Sequence, residues 1–143
     1  ISMCRSMMIL LPVVGVLILA GGLFIILNQQ TEPTLLNNEG YRDINSLELK
    51  EKMDNKDVLL INVHIPYDGE IGGTDLFIPF NDILNYLDIL PKDKDTEIII
   101  YCRSGSMSAT ASRELVEMGY TNVLNLEGGM NDWKANGFTL INT

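Results

Sequence analysis

Two patterns of hydrophobic positions divide the chain. Residues 7–27 form an apolar run without a charged side chain, whereas the rest alternates short apolar runs with polar segments. A helix needs about 20 apolar residues to cross a bilayer, and a soluble helix usually shows a polar face, which this run lacks. We therefore predict a transmembrane anchor over residues 7–27, preceded by a short flank at residues 1–6.

The charges around the apolar run predict how the anchor is oriented. Arg5 precedes the run, and no basic residue follows it before Arg42. The positive-inside rule then leaves the N-terminal flank in the cytoplasm and the remaining chain on the extracytoplasmic side. A cleaved signal peptide is the alternative, but its apolar region usually spans about 7–15 residues. Because the run continues to Leu27, an uncleaved anchor is favoured.

Beyond the run, the pattern predicts a linker and one α/β domain. Residues 28–42 are mostly polar, as is typical of a linker, and we place the domain at residues 43–143. Continuous apolar runs rich in β-branched residues predict strands covered on both faces, and they lie at residues 58–63, 97–101 and 122–126. Helices are predicted at residues 46–53 with Ser46 as N-cap, 83–90, 106–118 with Gly119 just past its end, and 130–136.

Strands that alternate with helices predict crossover connections, and hence a parallel sheet flanked by helices. In such sheets, functional sites form at the carboxyl ends of the strands. Cys102 directly follows the strand predicted at residues 97–101. The sequence therefore places a cysteine at the position where an α/β fold builds its sites.

Charge and cysteine content exclude several functions. The formal net charge is −9, and every acidic residue lies at Glu32 or later. Such a domain repels nucleic acid, so we expect no nucleic-acid partner. The two cysteines, Cys4 and Cys102, lie on opposite sides of the predicted anchor. They form neither a disulfide framework nor a zinc pattern, and we expect no metal or cofactor.

The segment that begins at Cys102 carries the candidate chemistry. A loop of small residues follows the cysteine and leads into the helix predicted at residues 106–118. Amides at the start of a helix lack helical partners and can point at the sulfur, and the helix dipole adds partial positive charge. Arg103 adds a full charge if it faces inward. Together they favour the thiolate, so Cys102 is a candidate nucleophile that holds sulfur as a persulfide; the alternative is a small buried hydrophobe.

Three motifs in this order resemble the rhodanese-like domain family. They are the early strand at residues 59–64, the six-residue loop at residues 102–107 and a C-terminal signature at residues 126–133 followed by Gly137-Phe138. The resemblance covers about residues 41–140. It implies a parallel sheet flanked by helices and a sulfurtransferase that moves sulfane sulfur from a donor such as thiosulfate to a thiophilic acceptor, a thiol or cyanide.

The resemblance also assigns the site residues. It implies that Cys102 carries the persulfide. It further implies that the remaining loop residues bind the substrate, and these are Arg103, Ser104, Gly105, Ser106 and Met107. No cofactor is implied.

Several positions differ from the family pattern. Where the family usually has Asp-Val-Arg, this chain has Asn62-Val63-His64, and Glu70 replaces the histidine of the family's Gly-His-Ile-Pro-Gly segment. The sixth loop position, often basic or hydroxylic, is Met107. Met107 makes the rim less cationic, so a persulfide of a small thiol or a protein partner is an alternative donor to thiosulfate.

Three residues outside the loop are expected to be structural. His64 is the only histidine, and we predict a structural or surface role for it rather than that of a general base. Trp133 is predicted to pack in the core. Arg113 is predicted to be solvated or ion-paired.

Four functions fit this pattern to different degrees. The favoured one is a membrane-anchored sulfurtransferase, followed by a non-enzymatic persulfide carrier that serves a membrane protein. A phosphatase of the related fold places Arg six residues after the cysteine, where this chain has Ser108. An inactive interaction domain is disfavoured because Cys102 and the glycine-bearing loop are both present.

Overall fold

The computed structural model describes residues 36–54 and 58–143, with two short strands near the N-terminus, β1 (Ile18–Leu19) and β2 (Gly22–Leu23). The chain divides into two units, Ile1–Pro33 and Thr34–Thr143. In the first unit, β1 and β2 pair antiparallel, so these four residues are extended, whereas the sequence predicted a helix. The remainder of the predicted anchor, the flank and residues 28–35 of the linker lie outside the described residues. No helix in the described part of the chain is long and apolar enough to cross a membrane, and the anchor and its orientation stay predictions.

A parallel five-stranded sheet forms the centre of the second unit. Its strand order is β3-β8-β7-β4-β6, and every neighbouring pair is parallel. The strands are β3 (Arg42–Ile44), β4 (Leu59–Asn62), β6 (Leu76–Phe77), β7 (Ile98–Tyr101) and β8 (Val123–Leu126). A separate antiparallel pair joins β5 (Glu70–Ile71) to β9 (Leu140–Ile141). All residues of β7 and β8 are buried, as expected for apolar strands covered on both faces.

Helices cover both faces of the sheet. They are α1 (Ser46–Asp54), a 3₁₀ turn (Ile83–Tyr86), α2 (Ser106–Glu117) and α3 (Gly129–Ala135). On one face, Leu115 of α2 packs with Ile61 and Ile100 of the sheet. On the other face, Leu49 of α1 and Trp133 of α3 pack with alternate residues of the same strands. The predicted parallel sheet flanked by helices is thus confirmed, as is the core position of Trp133.

Some elements differ from the sequence prediction. The strands β3, β5, β6 and β9 were not predicted, because runs of two or three residues are too short to show a period. The helix predicted at residues 83–90 is only one 3₁₀ turn, Ile83–Tyr86. Ile83, Tyr86, Leu87 and Leu90 lie at helical spacing and pack in or against the core, so the apolar pattern that predicted a helix is present. The segment nevertheless continues past the 3₁₀ turn through hydrogen bonds between residues three apart, such as that from the Ile89 amide to the Tyr86 carbonyl at 3.1 Å, and these form turns rather than an α-helix.

The start of α1 also differs from the prediction. Asn45, and not Ser46, is the N-cap: its side-chain oxygen accepts a hydrogen bond from the Glu48 amide at 2.9 Å, and its carbonyl accepts the Leu49 amide at 3.0 Å. Ser46 already lies in the helix, and its amide donates to the Asp132 carboxylate at 3.0 Å. The cap therefore lies one residue earlier, and α1 is tied to α3 through Asp132.

We expect Asn45→Ala to lower the free energy of unfolding by about 1 kcal/mol, because one amide of the first turn loses its acceptor. Asn45→Ser retains an oxygen at the cap and should cost only a few tenths of a kcal/mol. Urea unfolding followed by circular dichroism measures both. Equal losses for the two variants would contradict Asn45 as the cap.

Candidate active site

Cys102 lies at the carboxyl end of β7, the central strand of the sheet. It directly follows Tyr101, which pairs with Asn62 at the end of the neighbouring strand β4. Its side chain is buried, with 1% exposure, among the apolar residues on the α2 face. The thiol therefore lies at the carboxyl end of the sheet, where the loops after β4 and β8 also begin.

Two hydrogen-bond donors meet the sulfur of Cys102. The Gly105 amide lies 3.1 Å from Sγ, and the Ser108 hydroxyl lies 3.6 Å from it. Gly105 is the N-cap of α2 and has a φ of 94°, a left-handed conformation that glycine adopts without a steric penalty. The glycine thus turns the loop so that its amide faces the sulfur.

Ser108 is a contact that the sequence analysis missed. It entered only as the residue that replaces the arginine of phosphatases. Its place in the first turn of the predicted helix was visible in the sequence, but the direction in which its hydroxyl points was not. The side chain is fully buried, so its hydroxyl belongs to the sulfur's own surroundings.

The start of α3 holds the backbone of the loop. The Met130 amide donates to the Cys102 carbonyl at 2.9 Å, and the Asn131 amide donates to the Arg103 carbonyl at 3.0 Å. The helix approaches so closely that a Cβ on Gly129 would lie 2.2 Å from the Cys102 carbonyl oxygen. The two carbonyls are therefore bound to α3, and donors alone contact Sγ among the described hydrogen bonds.

Arg103 is ion-paired at the surface. Its guanidinium contacts the Asp68 carboxylate at 2.8 Å, and the two side chains are 51% and 55% exposed. The sequence assigned a full positive charge to the sulfur on condition that Arg103 faces inward. The structure instead pairs that charge with a carboxylate, from a residue that the sequence analysis did not single out. Arg113 pairs in the same way with Glu39, at 3.0 Å, as predicted.

The other predicted loop residues have unlike surroundings. Ser104 and Ser106 are exposed, and Gly105 is buried. Met107 is partly buried and packs against the apolar residues of the α2 face. Exposed small side chains thus border the loop, while Met107 adds apolar surface.

Asn62 braces the loop that follows β4. It is fully buried, its amide nitrogen donates to the Gly69 carbonyl at 3.1 Å, and its oxygen accepts the His64 amide at 3.0 Å. An asparagine can do both, because its side chain holds a donor and an acceptor. The asparagine that stands where the family has aspartate thus makes two supporting hydrogen bonds, one of which an ionised aspartate could not donate.

Tyr101 braces the next turn. Its hydroxyl accepts the Ile71 amide at 3.0 Å and lies 2.6 Å from the Thr74 hydroxyl. Burial raises the pKa of Tyr101 to about 12. The phenol therefore stays neutral and serves as a structural link between β7 and the segment around β5.

His64 is buried, with 5% exposure, so the surface alternative for this residue is wrong. Neither ring nitrogen has a hydrogen-bond partner among the described residues. Burial, and after it the positive charge of Arg103, lowers the pKa of His64 from its usual value of 6.5. The imidazole is consequently neutral in the folded protein at pH 7.

This geometry defines a class of protein. A buried thiol at the carboxyl end of a central parallel strand, contacted by donors at the start of the next helix, is typical of domains that transfer a group through cysteine. No cluster of three or more metal-binding side chains occurs in the part of the chain that the structure describes. The class includes sulfurtransferases and phosphatases.

The chain belongs to the rhodanese-like domain family. The model of that family, the rhodanese-like domain, matches residues 45–136. This match covers α1 through α3 and includes Cys102 and its loop. The resemblance found in the sequence is therefore confirmed.

Individual relatives agree with the family. A sulfurtransferase of Allochromatium vinosum is 36% identical over 103 residues, which cover 69% of this chain and 94% of that protein. The thiosulfate sulfurtransferase GlpE of Coxiella burnetii is 29% identical over 97 residues, covering 66% and 89% of the two chains. The crystal structure of a rhodanese-related protein from Thermoplasma volcanium superposes with a TM-score of 0.61 at 28% identity, covering 71% and 98%. These relatives support sulfurtransferase activity in general.

We expect Gly129→Ala to destabilise the fold by about 3 kcal/mol or more. The added Cβ would meet the Cys102 carbonyl oxygen at 2.2 Å and the Arg103 carbonyl carbon at 2.8 Å. Gly119→Ala is the matched control, since Gly119 also has a positive φ, of 89°, but nothing lies within 4 Å of its Cβ position. Backbone strain alone costs it about 1–2 kcal/mol. Urea unfolding compares the two variants, and equal losses would contradict the close approach of α3.

His64 should make stability depend on pH. The pKa of His64 is lowered in the folded state. Below pH 6.5 the imidazole is therefore protonated more readily in the unfolded chain than in the folded protein. The stabilisation is full above pH 6.5 and falls as pH drops, by up to about 1.4 kcal/mol per unit. Urea unfolding between pH 7.5 and 5.5 should show this slope in the wild type and a smaller one in His64→Gln. An unchanged slope in the variant would rule out the buried imidazole as its source.

Proposed function

We propose that this protein is a sulfurtransferase that moves sulfane sulfur from a donor to a thiophilic acceptor through a persulfide on Cys102. The observation that supports this most directly is the pair of donors on the sulfur, the Gly105 amide at 3.1 Å and the Ser108 hydroxyl at 3.6 Å. Hydrogen bonds to a charged group stabilise it. The nucleophilic form of cysteine is the thiolate, and the two donors face the atom that carries its charge.

In the first half-reaction, the Cys102 thiolate attacks the sulfane sulfur of the donor. With thiosulfate, a new S–S bond forms to Cys102 Sγ, the bond between the two sulfur atoms of the donor breaks, and sulfite leaves with the electron pair. With a persulfide donor, the leaving group is the donor's thiolate. In both cases no external oxidant is needed, and the enzyme holds one added sulfur.

In the second half-reaction, the acceptor attacks the outer sulfur of the persulfide. Cyanide becomes thiocyanate, and a thiolate becomes a persulfide. The S–S bond to Cys102 breaks, and its electron pair returns to Sγ. The thiolate is regenerated, still facing the Gly105 amide, and the cycle is complete.

The surroundings of the loop favour a persulfide donor over thiosulfate. Thiosulfate carries two negative charges, and an anionic ligand binds best where positive charge is free. Here the Arg103 guanidinium is paired with Asp68, and Met107 adds apolar surface to the loop. The net charge of −9 opposes anions further. We propose that the donor is the persulfide of a small thiol or of a protein.

A phosphatase is disfavoured by the contacts of Ser108. This residue stands six positions after Cys102, where the related phosphatases carry arginine. Its hydroxyl faces Sγ and the Gly105 carbonyl. A neutral hydroxyl does not supply the bidentate, charged grip that a guanidinium gives to phosphate.

The test is to incubate the chain with thiosulfate or glutathione persulfide and to measure intact mass. We expect a single added sulfur in the wild type and in Cys4→Ala, and none on Cys102→Ala. Release to cyanide over many turnovers would identify an enzyme. Loading without turnover would identify a persulfide carrier, and a folded wild type that takes up no sulfur from either donor would refute the proposal.

A further inference from the structure

The Ser108 hydroxyl has two possible acceptors and one hydrogen. Its oxygen lies 3.6 Å from Cys102 Sγ and 3.1 Å from the Gly105 carbonyl oxygen. A hydroxyl donates one hydrogen bond at a time, so it serves one acceptor or the other. The residue is fully buried, and the choice is therefore made inside the protein, between these two acceptors.

The charge on Sγ decides the choice. A thiolate is a strong acceptor, because hydrogen bonds to an ionised group are about twice as strong as those between neutral groups. In the persulfide, Sγ is bridged to a second sulfur, and the negative charge lies on that outer atom. Sγ is then a weak, neutral acceptor, and the hydroxyl turns to the Gly105 carbonyl.

This rotation of the Ser108 hydroxyl leaves no buried polar group without a hydrogen bond. The Gly105 carbonyl also accepts the Ala109 amide at 3.0 Å, which is a helical hydrogen bond of α2, and a carbonyl oxygen has two lone pairs. It therefore keeps a partner when the Ser108 hydrogen moves to Sγ. The Gly105 amide, in turn, stays on the sulfur.

We infer that Ser108 is a further catalytic residue that selectively stabilises Cys102 as the leaving group when sulfur is delivered to the acceptor. The inference rests on the proposed persulfide mechanism. During delivery, the acceptor bonds to the outer sulfur, the S–S bond breaks, and the electron pair develops on Sγ. The Ser108 hydrogen moves from the Gly105 carbonyl to Sγ as this charge appears, without leaving its own oxygen. An interaction that strengthens in the transition state accelerates the step.

Loading responds differently. The Cys102 thiolate loses its charge as it attacks the donor, so the Ser108 hydrogen bond weakens along that step. For attack by the thiolate, removal of the hydroxyl should therefore leave the loading rate unchanged or slightly higher. Delivery should be slower by about tenfold, which corresponds to the loss of one hydrogen bond to a charged group.

Ser112 provides a matched control for Ser108. It lies one helical turn further along α2, is also fully buried, and its hydroxyl has no hydrogen-bond partner among the described residues. Ser112→Ala therefore removes the same atom from the same helix without touching the sulfur. Both variants should remain folded, since neither leaves a polar group without its partner.

The experiment measures the two half-reactions separately in the full chain. Single-turnover loading from glutathione persulfide is followed by intact mass, and delivery from the loaded protein to cyanide is followed by thiocyanate release. We expect Ser108→Ala to slow delivery about tenfold and to leave loading at high pH within about twofold of the wild type, and Ser112→Ala to change neither. A fraction of unfolded protein would lower both signals equally and would leave their ratio unchanged.

Two outcomes would overturn the inference: equal slowing of both half-reactions in Ser108→Ala, or no slowing of delivery. The rate at which iodoacetamide alkylates Cys102, measured as a function of pH, tests the contact without any transfer of sulfur. The profile of Ser108→Ala should shift to higher pH, and that of Ser112→Ala should not. If the wild type takes up no sulfur but this shift is found, the proposed function fails while the contact between Ser108 and the thiolate stands. An unshifted profile would refute the contact itself.

Discussion

The site depends on the approach of α3 to the loop that carries the thiol. Amides of Met130 and Asn131 bind the carbonyls of Cys102 and Arg103, and this is possible only because Gly129 has no side chain between the two segments. With its carbonyls bound on that side, the loop turns its Gly105 amide toward the sulfur. In a loop that α3 did not hold, the carbonyl oxygens could turn toward the thiolate and repel it, so this arrangement would be lost. The last helix thus positions the loop whose donors contact the sulfur.

The buried polar residues that support the site at the ends of β4 and β7 are uncharged. Asn62 makes two hydrogen bonds with a neutral side chain, Tyr101 stays protonated, and the neighbouring His64 is neutral. The nearby full charges, on Arg103 and Asp68, compensate each other at the surface. A neutral buried environment leaves short-range donors, rather than distant ions, to control the sulfur, and such donors are insensitive to salt.

Sequence patterns predicted the elements that are long enough to show a regular run of hydrophobic positions. Long apolar runs identified β4, β7 and β8, and the alternation of strands and helices predicted Cys102 at the carboxyl end of a parallel strand. That this strand is the central one was not predicted. The short strands and the 3₁₀ turn carry too few residues for a pattern, and the N-cap was misplaced by one because Asn45 and Ser46 are both good caps. Asp68 and Ser108 could not be ranked from sequence, since the first depends on a contact 35 residues away. The contact of Ser108 with the sulfur depends on the orientation of its hydroxyl within a buried turn.

The position of Cys102 relative to β7 has a consequence for how the thiol reports on the protein. β7 pairs with a strand on each side and is covered on both faces, so its amides belong to the part of the molecule that exchanges hydrogen with solvent most slowly. Cys102 continues this strand, and its sulfur is buried with it. A bulky disulfide reagent that cannot enter the loop must wait until this region opens. The rate of thiol labelling by such a reagent therefore measures local opening of the loop around Cys102, next to a strand that itself stays closed.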